Sequence, residues 1–249
     1  MREQIKRILA EIVGDANVLN TRGEVAPYLY DQTVPFLRPK ANEDSIVVKP
    51  ANTKEVSEIM KLANDEKVSV VVRGGGTGLC GAAIPVVPSI IISMERFKKI
   101  IEVDEKNFII TLESGVTLRE IQEYLGRNSS MAYFAAHSCD ENAQIGGMVA
   151  ENAGGIKSGK HGVMRNNIRG LEVVLPTGEV LQLNGKLQKN NAGYDLMQLV
   201  IGSEGTLCVI TKVMLHIVPR PHFGATILVS FDNYEQATDA STKVLQAGV

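Results

Sequence analysis

The sequence predicts an α+β chain of two lobes, a small α/β lobe followed by a larger, mainly antiparallel one. Two observations carry this. The first hundred residues read strand, helix, strand, glycine loop, strand. After them come a tight hairpin and a long alternating strand, the signature of antiparallel pairing.

Each element has its own signal. Ile5, Ile8, Leu9, Ile12 and Val13 recur at helical spacing, so the chain opens on an amphipathic helix. Residues 20–45 are polar and contain Pro27, Pro35 and Pro39, which makes them an irregular lead-in. Ile46–Val48 is a short strand ending at Pro50, and Thr53 is placed to cap a helix reaching about Asn64. Residues 68–72 and Ser89–Ser93 are further apolar strands, with parallel pairing the natural arrangement. In the second lobe residues 108–112 form a strand, and Thr117 with Glu120 makes a capping box for a helix carrying Leu118, Ile121 and Leu125. Residues 171–175 and 179–183 flank Pro176-Thr177-Gly178 as a hairpin. Leu207, Val209, Thr211, Val213, Leu215 and Ile217 alternate along one long strand. Pro219 and Pro221 punctuate the chain, and a helix from about Tyr234 begins something new.

Composition excludes several classes. The chain has 249 residues, 44% hydrophobic and 22% charged, with a net charge of −2 and no Trp. Neither a basic excess nor an aromatic platform suits nucleic acid, and no apolar run approaches a membrane span. Cys80, Cys139 and Cys208 are too widely spaced for a zinc site or a redox pair, and no His–carboxylate spacing suggests a metal. They read as reduced, buried thiols of a cytoplasmic protein, and the N-terminus shows no signal core.

Three glycine segments carry the chemistry. Arg73-Gly74-Gly75-Gly76-Thr77-Gly78 follows a buried strand, where bare main chain can turn several N–H groups toward an anion such as a diphosphate. Gly76, Gly78 and Gly81 also satisfy a dinucleotide-binding spacing, with Glu95 downstream. That motif requires a helix to start in the loop, and Pro85 and Pro88 argue against one. The second segment runs from Gly146-Gly147 to Gly154-Gly155, brackets a stretch too short for a core helix, and contains Asn152, a donor and acceptor for a heterocycle edge. The third, Gly202-Ser203-Glu204-Gly205-Thr206-Leu207, reads equally as a ligand contact or as a turn before a strand.

Together with Lys49-Pro50-Ala51-Asn52-Thr53-Lys54-Glu55-Val56, these segments resemble the FAD-binding domain of the vanillyl-alcohol oxidase and p-cresol methylhydroxylase superfamily. The resemblance is nearest to the 2-hydroxy-acid branch: glycolate oxidase FAD subunits, D-lactate dehydrogenases and D-2-hydroxyglutarate dehydrogenases. It covers the chain from about residue 20 onward. It implies a two-lobed domain at residues 42–221, with lobes of about 42–98 and 99–221 and FAD between them. Residues 1–41 would be a lead-in, and residues 222–249 the start of an incomplete substrate or cap domain. Gly74, Gly75, Gly76, Thr77 and Gly78 would wrap the pyrophosphate, and Arg73 and Leu79 at either end would also bind the cofactor. His137, Ser138, Gly146, Gly147, Ala150, Asn152, Ala153 and Gly154 would run past the ribityl chain and the ring. Glu204, Gly205 and Ile210 would lie near the adenine, mostly through main chain. Asp31-Gln32-Thr33 resembles the family's stretch ahead of the first lobe.

The sequence departs from the family at Phe134-Ala135-Ala136-His137-Ser138, where a proline-rich turn is usual. His161 stands where Tyr is common. Cys208 and Lys212 replace a common glycine and a common acid. Relatives with covalent flavin use a His in the first loop. Residues 73–81 contain none, so dissociable FAD is expected.

The implied activity is oxidation of a 2-hydroxy acid such as D-lactate or glycolate, by hydride transfer to flavin. That chemistry needs a base for the hydroxyl and a cation for the carboxylate. In relatives these come largely from the cap domain, and here Arg38 and His137 are the only weak candidates. His137 and His161 could each touch substrate or shift the flavin's electronics, but the reading favoured for both is a polar residue with a satisfied hydrogen bond. The alternative is a non-catalytic FAD-holding electron-transfer subunit, completed by a redox partner or by a separate cap-bearing chain. A reductase of cell-wall precursor type, with a related FAD fold, is a weaker third reading.

Overall fold

The computed structural model describes residues 3–129, 131–135, 140–187 and 189–248. The chain divides into two compact units, Met1–Pro219 and Arg220–Val249.

The first unit opens with α1 (Glu3–Val13), which buries Ile5, Leu9 and Val13 at i, i+4 spacing. β1 (Val18–Leu19) and the short α2 (Arg22–Val25) follow, then the lead-in to β2 (Ile46–Val48). α3 (Thr53–Asp65) is capped by Asn52 rather than Thr53: the Asn52 Oδ1 accepts the Glu55 N–H at 3.0 Å. The Thr53 hydroxyl instead donates to Glu172 Oε1 at 2.6 Å. β3 (Ser69–Arg73) and β4 (Ser89–Ser93) complete a sheet of order β1-β2-β4-β3, in which β4 runs parallel to both β2 and β3. Ile90 and Ile92 pack with α1 and α3, while Ile91 meets Val25 and Val47 on the other face. A central strand buried on both faces needs this unbroken apolar run.

The second lobe begins with β5 (Ile100–Asp104) against β6 (Ile109–Glu113). The sequence pattern missed β5 because a bulge between Ile100 and Glu102 breaks its two-residue period, and most of the strand is not buried. α4 (Leu118–Asn128) has the expected capping box and buries Leu118, Ile121 and Leu125. β7 (Ala132–Tyr133), α5 (Ile145–Ala150), α6 (Ser158–His161) and α7 (Met164–Asn167) lead to the hairpin of β8 (Ile168–Val174) and β9 (Val180–Asn184). α8 (Leu196–Val200) and β10 (Val209–His216) follow, and β11 (Val218–Pro219) pairs with β7. The main sheet has the order β5-β6-β10-β8-β9 and is antiparallel throughout.

The two lobes share core. Val174 and Val209 join the apolar cluster of the first lobe. Ser57 Oγ donates to the Gly178 carbonyl at 2.5 Å, fixing the hairpin turn on α3. Buried Glu172 accepts from Thr53, from Gln182 at 2.6 Å, from Thr211 at 2.8 Å and from Lys212 at 2.7 Å. Burial disfavours its ionised form, but the bonds from Lys212, Thr53 and Thr211 outweigh this and hold the carboxyl below its ordinary value. The unusual Lys212 therefore has a structural partner on the neighbouring strand.

In the second unit α9 (Tyr234–Gln246) starts where the sequence predicts, with Asn233 accepting the Gln236 N–H at 3.0 Å. None of its residues is buried. Among the described residues no helix is long and apolar enough to cross a membrane.

Candidate functional site

β3 ends at Arg73 and releases the first glycine loop. At Gly76 φ is +68°, in the left-handed region, and a Cβ there would run into the Arg73 guanidinium. That guanidinium donates to the carbonyls of Tyr30 (2.8 Å) and Pro27 (3.3 Å), so Arg73 supports the loop and fastens the lead-in to it. The lead-in is also tied by Gln32 N–H to the Gly78 carbonyl at 3.0 Å. Among the described residues, no amide N–H of residues 74–79 donates to another group of the protein. A run of unspent donors on bare main chain is the physical requirement for wrapping an anion.

The second glycine segment differs from expectation. Residues 145–150 form a short helix, α5, with Ile145, Gly146, Met148 and Val149 buried. The absence of a side chain at Gly146 is what allows this: a Cβ would lie 2.7 Å from the Ser114 Cβ, so the helix packs directly on the end of β6. At Gly147 a Cβ would meet nothing within 4 Å. Asn152 has φ of 49°, and its Oδ1 accepts the Arg165 N–H at 2.9 Å. Its side-chain oxygen thus helps to shape a turn. Arg165 holds the next turn by donating to the carbonyls of Gln198 (2.6 Å) and Ile201 (2.5 Å). The third segment is tied to α5 by the N–H groups of Gly202 and Glu204, which donate to Val149 (3.1 Å) and Ala150 (2.9 Å).

These three segments enclose one cleft of about 720 Å³. Gly74, Gly76, Thr77, Gly78 and Leu79 line it from the first lobe. Gly146, Gly147, Ala150, Ala153 and Gly154 line it from the second, and Glu204, Gly205 and Ile210 from the turn before β10 and its first residues. Arg73, Gly75 and Asn152 do not reach the cleft. A Cβ on Gly75 would sit 2.5 Å from the Asn142 carbonyl, so this glycine serves a protein–protein approach within the fold. His137, Ser138 and Cys139 lie outside the described residues. Arg38 is committed to the lead-in: its guanidinium donates to the Thr33 and Asp31 carbonyls and lies 5.6 Å over the Tyr30 ring. Cys208 is buried at the cleft, which pushes its thiol up to about 11, whereas Cys80 is exposed there, contrary to the expectation of a buried thiol. Glu95, the acid of the rejected dinucleotide motif, binds Lys49 at 2.6 Å and Tyr28 at 3.0 Å.

Sequence reasoning missed Ser114, Gln144 and Glu151. Ser114 Oγ and Gln144 Oε1, together with Asp31 Oδ2, are buried polar atoms on the cleft wall with no partner among the described residues. Such atoms are rare without a ligand or water to satisfy them. Glu151 titrates above its ordinary value because of burial, then the charges of Glu204 and Asp31. Nothing in the local sequence marks Ser114 or Gln144, since both matter only through residues far away in the chain. Among the described residues no group of His, Cys, Asp and Glu is placed to hold a metal ion.

Free amides, unpartnered polar atoms and the open face at Gly147 fit an elongated diphosphate nucleotide. Comparison with known proteins agrees. A family model described as "FAD binding domain" matches residues 45–184. A D-lactate dehydrogenase of Archaeoglobus fulgidus is 40% identical over 217 residues, 87% of this chain and 48% of the relative. The glycolate oxidase subunit GlcD of Bacillus subtilis is 32% identical over 247 residues, 99% of this chain and 52% of the relative. The chain thus spans about half the length of the curated relatives it matches. Among solved structures, an alkyldihydroxyacetonephosphate synthase superposes with a TM-score of 0.83 at 20% identity, covering 100% of this chain and 46% of the other. A p-cresol methylhydroxylase with substrate bound gives 0.71 at 19% identity, covering 88% and 44%. The chain belongs to the family of FAD binding domains, with the two-lobed fold of the p-cresol methylhydroxylase type and FAD as its cofactor.

Proposed function

We propose that this chain is the FAD-binding part of an oxidoreductase acting on a small 2-hydroxy acid such as D-lactate or glycolate. The single observation that carries the binding reading is the run of unspent amide donors at residues 74–79, all but Gly75 lining a cleft shared with the other two glycine segments. In this reading the loop amides and the Thr77 hydroxyl hold the diphosphate, and Gly147 leaves room for the flat ring. Ser114, Gln144 and Asp31 take up donors and acceptors along the cofactor. The turn at Glu204 and Gly205, with Ile210, borders the adenine end. Bound flavin supplies the hydride acceptor for the hydroxyl-bearing carbon. The residues of this chain position the cofactor and shield it from water. Residues 73–81 hold no His, which supports a dissociable cofactor.

The named relatives are a D-lactate dehydrogenase and a glycolate oxidase subunit, and they support the substrate class. We read residues 42–221 as the cofactor domain and residues 222–249 as the beginning of a substrate domain. The free thiols Cys80 and Cys208 favour a cytosolic setting. A second reading, an electron-transfer subunit completed by a partner, is favoured by one fact: the relative GlcD is named as a subunit.

The test is an absorbance spectrum of the purified chain and titration of apoprotein with FAD, then anaerobic addition of D-lactate or glycolate. Flavin bands with bleaching by either acid support the first reading. Flavin bands without bleaching support the second. A colourless chain indifferent to FAD overturns both.

A further inference from the structure

Beyond Gly154 the chain leaves the cleft wall and turns into α6. The turn is fixed by Gly155 N–H donating to Ser158 Oγ at 2.9 Å and by Met164 N–H donating to the Ala153 carbonyl at 3.0 Å. Tyr133, Lys157 and His161 meet here, with Lys160 next to His161 in the chain. Lys157 Nζ lies 5.3 Å from the centre of the Tyr133 ring. The Tyr133 hydroxyl is 3.4 Å from His161 Nε2, and the two rings meet edge-on with centroids 6.3 Å apart. Burial, then the charges of Lys160 and Lys157, hold the His161 imidazole below its ordinary value. It is therefore neutral near neutral pH, and the positive charge of the cluster rests on the two ammoniums. Lys98, Lys186 and Lys212 each pair with a carboxylate, whereas among the described residues Lys157 and Lys160 pair with none.

The adjoining cleft has the opposite character. Asp31, Asp140, Glu141, Glu151 and Glu204 line it, and Arg119, the only cation among its described lining residues, pairs with Glu141 at 3.1 Å. The cofactor's diphosphate is met by the loop amides, whereas the unneutralised ammoniums beside the cleft draw a second, small anion.

We propose that Tyr133, Lys157, Lys160 and His161 form an anion site next to the cleft wall at Gly154 that takes the carboxylate of a small 2-hydroxy acid. Lys157 and Lys160 supply the charge. Tyr133 and His161 supply directional hydrogen bonds of the kind that suit the neighbouring hydroxyl. The identity of the acid rests on the function proposed above, but the anion site does not require bound flavin.

The probe is oxalate, titrated calorimetrically into the FAD-free chain. The unmodified chain binds it, and the Lys157→Gln/Lys160→Gln variant loses at least tenfold in affinity. Tyr133→Phe loses a smaller factor, about threefold, and Lys157→Arg/Lys160→Arg retains most of the binding. FAD titration of the double Gln variant matches the parent, which shows that the fold and cleft are intact. A control, Lys54→Gln/Lys106→Gln, removes the same charge elsewhere and leaves oxalate binding unchanged. No oxalate binding by the unmodified chain, an undiminished affinity in the double Gln variant, or an equal loss in the control each overturns the proposal. If the chain binds oxalate but not FAD, the anion site stands and the flavoenzyme reading falls.

Discussion

The loop at residues 74–79 and the helix α5 both depend on glycine, for opposite reasons. In the loop, glycine keeps the main chain bare and its amides unspent. In α5 the amides are already used by helical bonds, such as Met148 N–H to Gln144 and Glu151 N–H to Gly147. There Gly146 lets the helix lie against Ser114, and Gly147 leaves a gap on the cleft side. Consecutive glycines thus leave amide donors unspent in one place and permit close packing in the other. Only the neighbouring atoms distinguish the two.

Substitutions can break or sharpen this contrast. The largest effect is expected for Gly146→Val, whose side chain would overlap Ser114. It should cost about 3 kcal/mol in urea unfolding, and unchanged stability would mean that α5 does not pack on β6 as described. Gly76→Ala comes next. The left-handed backbone and the Arg73 guanidinium beneath it should cost about 2 kcal/mol, with FAD affinity falling at least tenfold by fluorescence titration.

Glu172→Gln serves as a control away from both segments. It should lower stability by about 1 kcal/mol near neutral pH without weakening FAD binding beyond the loss of fold. Because the folded-state value of Glu172 is depressed, its contribution is present above the ordinary carboxylate value. It fades as pH falls through the lower folded value. The gap between parent and variant in pH-dependent urea melts should therefore close on the acid side, and a gap that widened there would reverse the sign assigned. The smallest change is Gly147→Ala. A methyl in open space on a helix should add about 0.5–1 kcal/mol of stability while weakening FAD binding. Tighter binding instead would show that Gly147 does not face the cofactor.

Much of the fold was legible in the chain. The three isoleucines of β4, the Thr117–Glu120 box and the hairpin about Gly178 are local patterns with local causes, and each lies where the pattern places it. β5 was hidden because its bulge erases the alternation that marks a strand. Within the candidate site, the glycine segments were legible as segments but not residue by residue. Gly75 and Asn152 belong to the predicted motifs, yet their partners are Asn142 and Arg165, far along the chain. Ser114 and Gln144 carry no motif and reach the cleft only because α5 docks on the end of β6.

The sequence by itself determined the two-lobed architecture, the glycine loop after β3 and the family, because periodicity and backbone permissiveness are written into runs of adjacent residues. The tertiary structure alone decided that Arg73 supports the loop from beneath and that Gly146 is a packing residue. It also decided that carboxylates line the cleft while Lys157 and Lys160, with no carboxylate partner among the described residues, stand beside it. Those facts depend on distances between residues remote in the chain, and Coulomb and steric forces act through space with no regard for sequence order.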